Sequence, residues 1–457
     1  MTELTQPRQR FREIARIKLA DSHTQGALDS STARLYGNRV AAWQALPEVQ
    51  ELRQRAHDAR MRVIDDLDLH VARFTQALES RGGHVHFAQT ADDATAYVTE
   101  VCRRSGAKLA AKSKSMLSEE LDLNRALEGI GVRAVETDLG EYIIQLAGEH
   151  PAHILAPAVE KTAGDVAELL SAVDGRPVPP DLDALTQAAR RQLRQVFLDA
   201  DVGITGANFG VSQTGSICLV TNEGNGRLVT SLPRVHIALM GMERLVADLS
   251  DLSVLLRLLA RSGTGQRLSV YTTLLTGPRR PGEEDGPEEM HVVIVDNGRS
   301  NLLGTHYKEM LACIRCGACL NVCPVYRKTG GGAYGPVYSG PMGAVLLPLL
   351  VGLDHAPSLP HASSLCGACT DACPVKIPLH ELLLDLRKDL VETSVAPRWE
   401  RLAFELWSLA WSSPLGYRVS TRVGRALQGL GAVAGPGRAW ARGRDLPRLG
   451  RRFRDGR

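Results

Sequence analysis

An α/β domain with a largely parallel sheet, followed by a smaller all-α domain that carries metal-binding cysteines, is the fold class this chain predicts. Three observations predict it. Between about 84 and 300, short apolar runs alternate with amphipathic stretches, the texture of strands alternating with helices. Seven of the nine cysteines fall between 313 and 373, in two motifs that each end in Cys-Pro. The chain has 457 residues, more than one core usually serves, so two or three domains are expected.

Residues 1–80 read as helical. Val63, Ile64, Leu67, Val71, Phe74 and Leu78 recur at three- and four-residue steps among charged neighbours, and Gly82-Gly83 closes the region. The α/β domain is expected over 81–300. Strand-like runs are HVHFA (84–88), KLAAKS (108–113), VRAVET (132–137), HILAPA (153–158), SICLVTN (216–222), RVHIALM (234–240), SVYTTLL (269–275) and HVVIVD (291–296). Helices are expected over 92–104 and 118–129, and PRRPGEEDGPEE (278–289) reads as a surface loop. The cysteine domain is expected over 301–395. The 42 residues between its two motifs exceed what a minimal ferredoxin needs and suggest a helical ferredoxin type, with GAVLLPLL as one inserted helix. Pro378 suits the first turn of a helix over LHELLLDLRKDLVE. Residues 396–457 hold an amphipathic, Trp-containing stretch with Trp407 and Trp411, then an Arg- and Gly-rich tail.

The first motif is Cys313-x2-Cys316-x2-Cys319-x3-Cys323-Pro324 and the second is Cys366-x2-Cys369-x3-Cys373-Pro374. The first matches the bacterial ferredoxin pattern, in which three thiolates bind one iron–sulfur cluster and the fourth reaches to another. Short x2 steps wrap the backbone around one cube of iron and sulfide. The x3-Cys-Pro step then turns the chain away. By this logic Cys313, Cys316, Cys319 and Cys373 bind cluster one, while Cys323, Cys366 and Cys369 bind cluster two. Counted back from Cys373, the eighth position is Ser363, so cluster two is one thiolate short. A [4Fe–4S] cluster with a non-cysteine fourth ligand, a [3Fe–4S] cluster, or one open iron would each satisfy that count. Paired zinc sites fit poorly, because zinc prefers four ligands per site from separated CxxC pairs. Cys102 and Cys218 lie on a predicted helix and strand and read as core residues.

Net charge is +3, while the eight Arg and two Asp of 438–457 alone sum to +6, so the rest of the chain is about neutral to slightly acidic and the basic character belongs to the tail. The tail has no interleaved aromatic platform for single-stranded nucleic acid and reads as a solvated terminus. The chain start is charged, and no apolar run reaches the roughly 18 residues of a spanning helix. A soluble cytoplasmic protein with at most peripheral membrane contact is expected, and clustered CxxC spacings there indicate metal binding rather than disulfides.

Elsewhere, AAKSKSM (110–116) links a strand to a helix. Ser115 or Ser118 suits a cap there, and Lys112 and Lys114 could hold an anion. TGANFGVSQTGS (205–216) and TNEGNG (221–226) permit close backbone approach and could line a cleft, with Glu223 its obvious carboxylate. Asp138 reads as a helix cap near Glu141, and His153, His236 and His306 are isolated. No P-loop or GxGxxG pattern is present, so nucleotide binding is unsupported.

These stretches resemble the iron–sulfur B-subunit family, LutB, of the three-part lactate-utilisation system. The matching segments are AAKSKSMLSEELDLNRALEGIGVRAVETDLGEYIIQL (110–146), DVGITGANFGVSQTGSICLVTNEGNGRL (201–228), CIRCGACLNVCPVYRKTGGGAYGPVYSGPMGAVLLPLL (313–350) and SSLCGACTDACPVKIPLHELLL (363–384). The resemblance spans about 10–420 and leaves the tail uncovered. It implies a lactate-utilisation (LUD) α/β domain with a fold like sugar-phosphate isomerases and CoA transferases. It also implies two [4Fe–4S] clusters on Cys313, Cys316, Cys319, Cys323, Cys366, Cys369 and Cys373, with Ser363 in the gap as in the family. The implied activity is electron transfer in oxidation of L-lactate to pyruvate, with LutA-like and LutC-like subunits and an unidentified electron acceptor. Fold kinship does not by itself transfer isomerase or transferase activity. Competing readings are an iron–sulfur enzyme that converts a hydroxyacid at an open-site cluster, and a redox-sensing regulator that uses the Arg-rich tail.

Overall fold

Strands buried on both faces read as continuous apolar runs, and that is how the centre of this protein is built. The computed structural model describes residues 10–431 apart from 336, 394, 396 and 397, so the Arg-rich tail lies outside the described residues. Ten strands are present among the described residues: β1 (His84–Ala88), β2 (Leu109–Lys112), β3 (Arg133–Glu136), β4 (Val202–Gly206), β5 (Phe209–Val211), β6 (Ser216–Thr221), β7 (Val235–Gly241), β8 (Leu245–Val246), β9 (Tyr271–Leu275) and β10 (Glu289–Val295). Six form one sheet in the order β1-β10-β7-β4-β2-β3, parallel at every pairing. β7 is buried at every position and β10 at every position but its first.

A second sheet, β8-β5-β6-β9, was not expected from the sequence. β6 pairs antiparallel with β5 and β9, and β8 runs parallel to β5. Its strands β5 and β8 have three and two residues, too short to show any period. β4 was also missed. Its two glycines weaken a strand signal, yet Gly203 is required there. A Cβ on it would stand 1.9 Å from the Val229 carbonyl oxygen of the helix Asn225–Ser231, which packs directly on the strand.

The expected strand HILAPA is not one. His153 Nδ1 accepts from the Leu155 and Ala156 N–H groups, and Ala152 N–H bonds Pro157 O, so the backbone donors close a loop instead of joining a ladder. The expected helix 118–129 is two, Met116–Glu120 and Leu123–Glu128, broken where Asp122 adopts φ 50°. Ser115, not Ser118, caps the first, accepting from Ser118 N–H.

The N-terminal region forms the helices Arg10–Ala20, Ser22–Gln44, Val49–Asp65 and Leu67–Glu79. Leu52, Ala56 and Ile64 share a core with Phe209 and Leu255 of the α/β region and with Cys316, Leu346 and Cys373 of the cysteine region. The wholly buried Arg60 extends this link by donating to the carbonyls of Leu245, Leu311 and Ala312. The described residues up to Lys388 accordingly form one compact unit, and those from Asp389 onward form another. Between the cysteine motifs runs the helix Gly340–Val351, apolar all round and buried over its first nine residues, with Pro348 inside it. The helix Leu379–Glu392 follows the second cysteine motif. In the second unit, helices Arg398–Trp411 and Pro414–Gly431 meet through Trp411 and Tyr417, ring centres 5.0 Å apart. No described helix is long and apolar enough to cross a membrane.

Candidate functional site

The two cysteine motifs repeat one backbone pattern at a constant offset of 50 residues: Cys316 to Cys366, Cys319 to Cys369, Cys323 to Cys373. In each, a residue in the left-handed region precedes the shared cysteine, Arg315 (φ 57°) and Leu365 (φ 54°). A left-handed glycine follows, Gly317 (φ 72°) and Gly367 (φ 81°), and a five-residue helix comes next, Ala318–Val322 and Ala368–Ala372. Left-handed backbone at non-glycine residues stores strain, and it is retained where geometry demands it. Here it turns the chain sharply on either side of Cys316 and of Cys366.

Cys313, Cys316, Cys319 and Cys373 line one cavity, with Ile154, Arg315, Met342 and Ile377 among its other walls. Cys373 interacts electrostatically with Cys313 and Cys316, and Cys319 with all three. Cys323 neighbours Cys366, and Cys369 neighbours both. The last cysteine of each motif has therefore crossed to the other set, and Cys319 also feels Cys369, so the sets adjoin. Among the described residues no three His, Cys, Asp or Glu side chains gather around a single-ion site. Cys313, Cys316, Cys319 and Cys373 line one shared cavity instead.

The chemistry of the donors fits an iron–sulfur cluster. Burial pushes Cys316, Cys319, Cys323, Cys369 and Cys373 up, Cys369 to about 11 and Cys373 to about 12, so these five give up their protons to a bound metal's charge, whereas hydrogen bonds from Ser364 and Ala368 hold exposed Cys366 down. Backbone N–H groups point at the sulfurs: Ile377 N lies 3.4 Å from Cys373 Sγ and Tyr326 N 3.5 Å from Cys323 Sγ. Donors of this kind stabilise bound thiolates and tune cluster potentials. Arg53 anchors the crossing thiol by donating to Cys373 O at 2.7 and 3.0 Å. The sets differ in two ways. The first four thiols are buried or half-buried, while Cys366 is exposed. Ser363 holds the place corresponding to Cys313, but its Oγ accepts from Leu365 N–H at 3.1 Å and its carbonyl takes Arg387 Nη2 at 2.9 Å. Its hydroxyl thus shapes the turn that presents Cys366.

Beside the first cavity lies a cleft of about 310 Å³. The strand order explains its place. From β2 the chain moves outward to β3, then returns to β4 on the other side of β2, and ligand crevices in parallel sheets form at the carboxyl ends of strands flanking such a reversal. Ser113, Lys114 and Ser115 follow β2, Asp138 follows β3, and Gly206 to Asn208 end β4. Thr221 to Glu223 and Asn225 close another side. Gly206 has no room for a side chain, since a Cβ would lie 2.9 Å from Ser115 Oγ. The segments 110–116, 205–216 and 221–226, separate in sequence, thus meet in one cleft. Burial, with Asp138 beside it, pushes Glu223 up to about 7. Asp138 also caps the helix Leu139–Ala147.

Lys112 does not belong to this cleft. Its ammonium is buried against Glu136 Oε1 and Asn124 Oδ1, each at 2.5 Å, which removes it as an anion holder. His236 is buried and pushed down to about 3, bonded to Thr205 Oγ1, and His306 is exposed. Buried His153 lies under the first motif, its Nε2 3.1 Å from Asn321 Oδ1. Cys102 and Cys218 are core residues, both thiols raised to about 12 by burial.

Sequence reasoning missed the far wall of the cleft. There Arg299 pairs with Glu120 (2.7 Å) and Glu243 (2.9 Å), and Arg315 reaches Glu243 at 3.3 Å. Tyr338 bonds Glu120, and Arg244 donates to Cys313 O at 2.8 Å. Burial opposes ionisation of Glu243, but Arg299, Arg315 and Arg244 outweigh it and hold the carboxyl at about 2. The available signal was positional, because Glu243 and Arg244 follow β7 and Arg299 follows β10 at the carboxyl edge of the sheet. Ile154 and Arg315 line both the cleft and the thiol-ringed cavity, so one layer of side chains separates them.

Residues 71–295 match the LUD domain family and residues 309–377 the 4Fe-4S dicluster domain family. Lactate utilization protein B of Bacillus licheniformis is 47% identical, over 98% of this chain and 96% of that protein. Lactate utilization protein B of Bacillus thuringiensis is 46% identical, over 96% of this chain and 94% of that protein. A solved structure of a DUF162 family protein from Deinococcus radiodurans covers 50% of this chain and 98% of its own, at 12% identity and a TM-score of 0.28, a likeness too slight to bear on the fold.

Proposed function

Because the chain belongs to the lactate utilization protein B family, a family with a LUD domain and a 4Fe-4S dicluster domain that serves lactate utilisation, we propose that it is the electron-transfer subunit of a complex that oxidises L-lactate to pyruvate. The observation that carries this reading is the shared wall, Ile154 and Arg315, between the cleft and the cavity ringed by four thiols. Electrons released in the cleft have a short route to that cavity. The second set of thiols adjoins the first and ends at exposed Cys366, which gives a way out to an acceptor.

In this reading Cys313, Cys316, Cys319 and Cys373 hold one [4Fe–4S] cluster, and Cys323, Cys366 and Cys369 hold a second whose fourth ligand is not cysteine. Bound clusters would supply one-electron carriers, and two of them match the two electrons that leave a hydroxyacid. The protein's own residues do the rest. Arg53 and the Ile377 N–H fix and stabilise the Cys373 sulfur, and the core around Met342 and Ile377 excludes water. LutA-like and LutC-like subunits complete the complex, which acts in the cytoplasm.

Anaerobic reconstitution with iron and sulfide tests the cluster assignment. The full chain should take up about eight irons and show broad visible absorption, with an EPR signal on reduction. A folded protein that takes up no iron would overturn the reading.

A further inference from the structure

The cleft contains a donor and an acceptor that nothing among the described residues satisfies. Lys114 Nζ is shut off from solvent without a hydrogen-bond partner, and so is Asn225 Oδ1. Buried polar atoms are almost always paired, so two orphans in one cavity ask for a ligand. The other cations of the cleft are engaged: Arg299 by Glu120 and Glu243, Arg315 by Glu243, and Arg244 by the carbonyls of Cys313 and Ile314. Among the described residues Lys114 is thus the cation of the lining that no carboxylate or carbonyl holds, and the groups around it, Asp138, Glu141 and Glu223, are acidic. A dianion such as phosphate would meet those carboxylates. A singly charged carboxylate that also carries a hydroxyl would satisfy the lysine with its charge and offer the asparagine oxygen a proton.

We propose that this subunit itself binds the 2-hydroxycarboxylate substrate in this cleft, with the carboxylate on Lys114 and the hydroxyl donating to Asn225 Oδ1. The assignment rests on the lactate-oxidation reading above and adds which subunit holds the substrate and by which residues. Bound there, the ligand lies against the wall of Ile154 and Arg315 that borders the first thiol set.

Calorimetric titration of the iron-loaded full chain tests this. L-lactate should bind saturably. Propionate, which lacks the hydroxyl, should bind about tenfold more weakly, and Asn225→Ala should erase that preference. Lys114→Met should weaken L-lactate at least about tenfold, and Lys114→Arg should recover part of the loss. Lys114→Met should not lower the thermal midpoint, because it removes a buried charge that has no hydrogen bond. Iron content, measured on the same samples, reports the cluster reading separately. An iron-loaded chain that binds no L-lactate overturns the inference. So does L-lactate affinity unchanged by Lys114→Met, or inorganic phosphate displacing L-lactate at equal concentration.

Discussion

Replacing Cys373 by serine should remove about half of the bound iron, leaving about four of roughly eight atoms. The position matters because Cys373 belongs to the second motif by sequence but faces the cavity of the first. Its neighbours are Cys313 and Cys316, its sulfur accepts from Ile377 N–H, and its carbonyl is gripped by Arg53. Serine offers a harder and less acidic ligand, which binds iron more weakly. Lactate-dependent electron transfer should fall to background, because the set next to the cleft is the one that fails. Cys102→Ser and Cys218→Ser should leave the iron content unchanged, since Cys102 packs in a separate core, Cys218 sits on β6 opposite Phe209, and neither lines the cavity of the first thiol set. Ser363→Cys should preserve both iron and electron transfer, because a fourth thiolate only closes the second set. Loss of electron transfer in Ser363→Cys with full iron would instead favour chemistry at an open iron. Iron and sulfide analysis with EPR reads all four variants.

Arg60→Ala should cost about 3–5 kcal/mol of stability, from buried carbonyls left without donors and from the cavity vacated by the side chain. Arg60 is 0% exposed, and its guanidinium fans out to Leu245 O at 2.5 Å, Leu311 O at 3.1 Å and Ala312 O at 3.4 Å, with Glu243 O as a fourth acceptor. One side chain of the N-terminal helices thereby joins the strand region around 245 to the segment leading into Cys313. Burial, with Arg244 nearby, lowers it to about 9, so it remains charged at neutral pH. Arg60→Lys should recover only part of the loss, because an ammonium cannot fork to several carbonyls at once. Arg62→Ala on the same helix should cost less than about 1 kcal/mol, its pair with Asp251 being largely solvent-exposed on the arginine side. Denaturant titrations of the three variants make the comparison.

The fold was legible where the chain carries long periodic signals. The helices before residue 80, the apolar runs of β7 and β10, and the helix beginning at Leu379 follow directly from spacing and from Pro378. It was not legible where tertiary contacts decide. β5 and β8 are too short to show a period, and His153 diverts the N–H groups of an apolar run that otherwise reads as a strand. Part of the cleft was visible too, since Asn208 and Glu223 lie in stretches whose small and polar residues suggested one and Lys114 read as a possible anion holder, whereas Asp138 read only as a helix cap. Its far wall was hidden because Glu243, Arg244, Arg299, Arg315 and Tyr338 come from separate segments and make sense only as a network of paired charges. Lys112 and Lys114 look alike in sequence. They differ because Lys112 ends β2 beside Glu136 of the neighbouring strand, while Lys114 lies in the turn beyond the strand, where no described side chain bonds its ammonium.

The central claim is that electrons from L-lactate enter this chain at the cleft and pass through its cysteine sets. Anaerobic addition of L-lactate to the iron-loaded chain assembled with its LutA-like and LutC-like partners tests it most directly. The visible iron–sulfur absorption should bleach and a reduced-cluster EPR signal should appear, with pyruvate formed and neither change seen in the Cys373→Ser complex. Pyruvate formation at full rate with that absorption unchanged, or at full rate in the Cys373→Ser complex, would contradict the account.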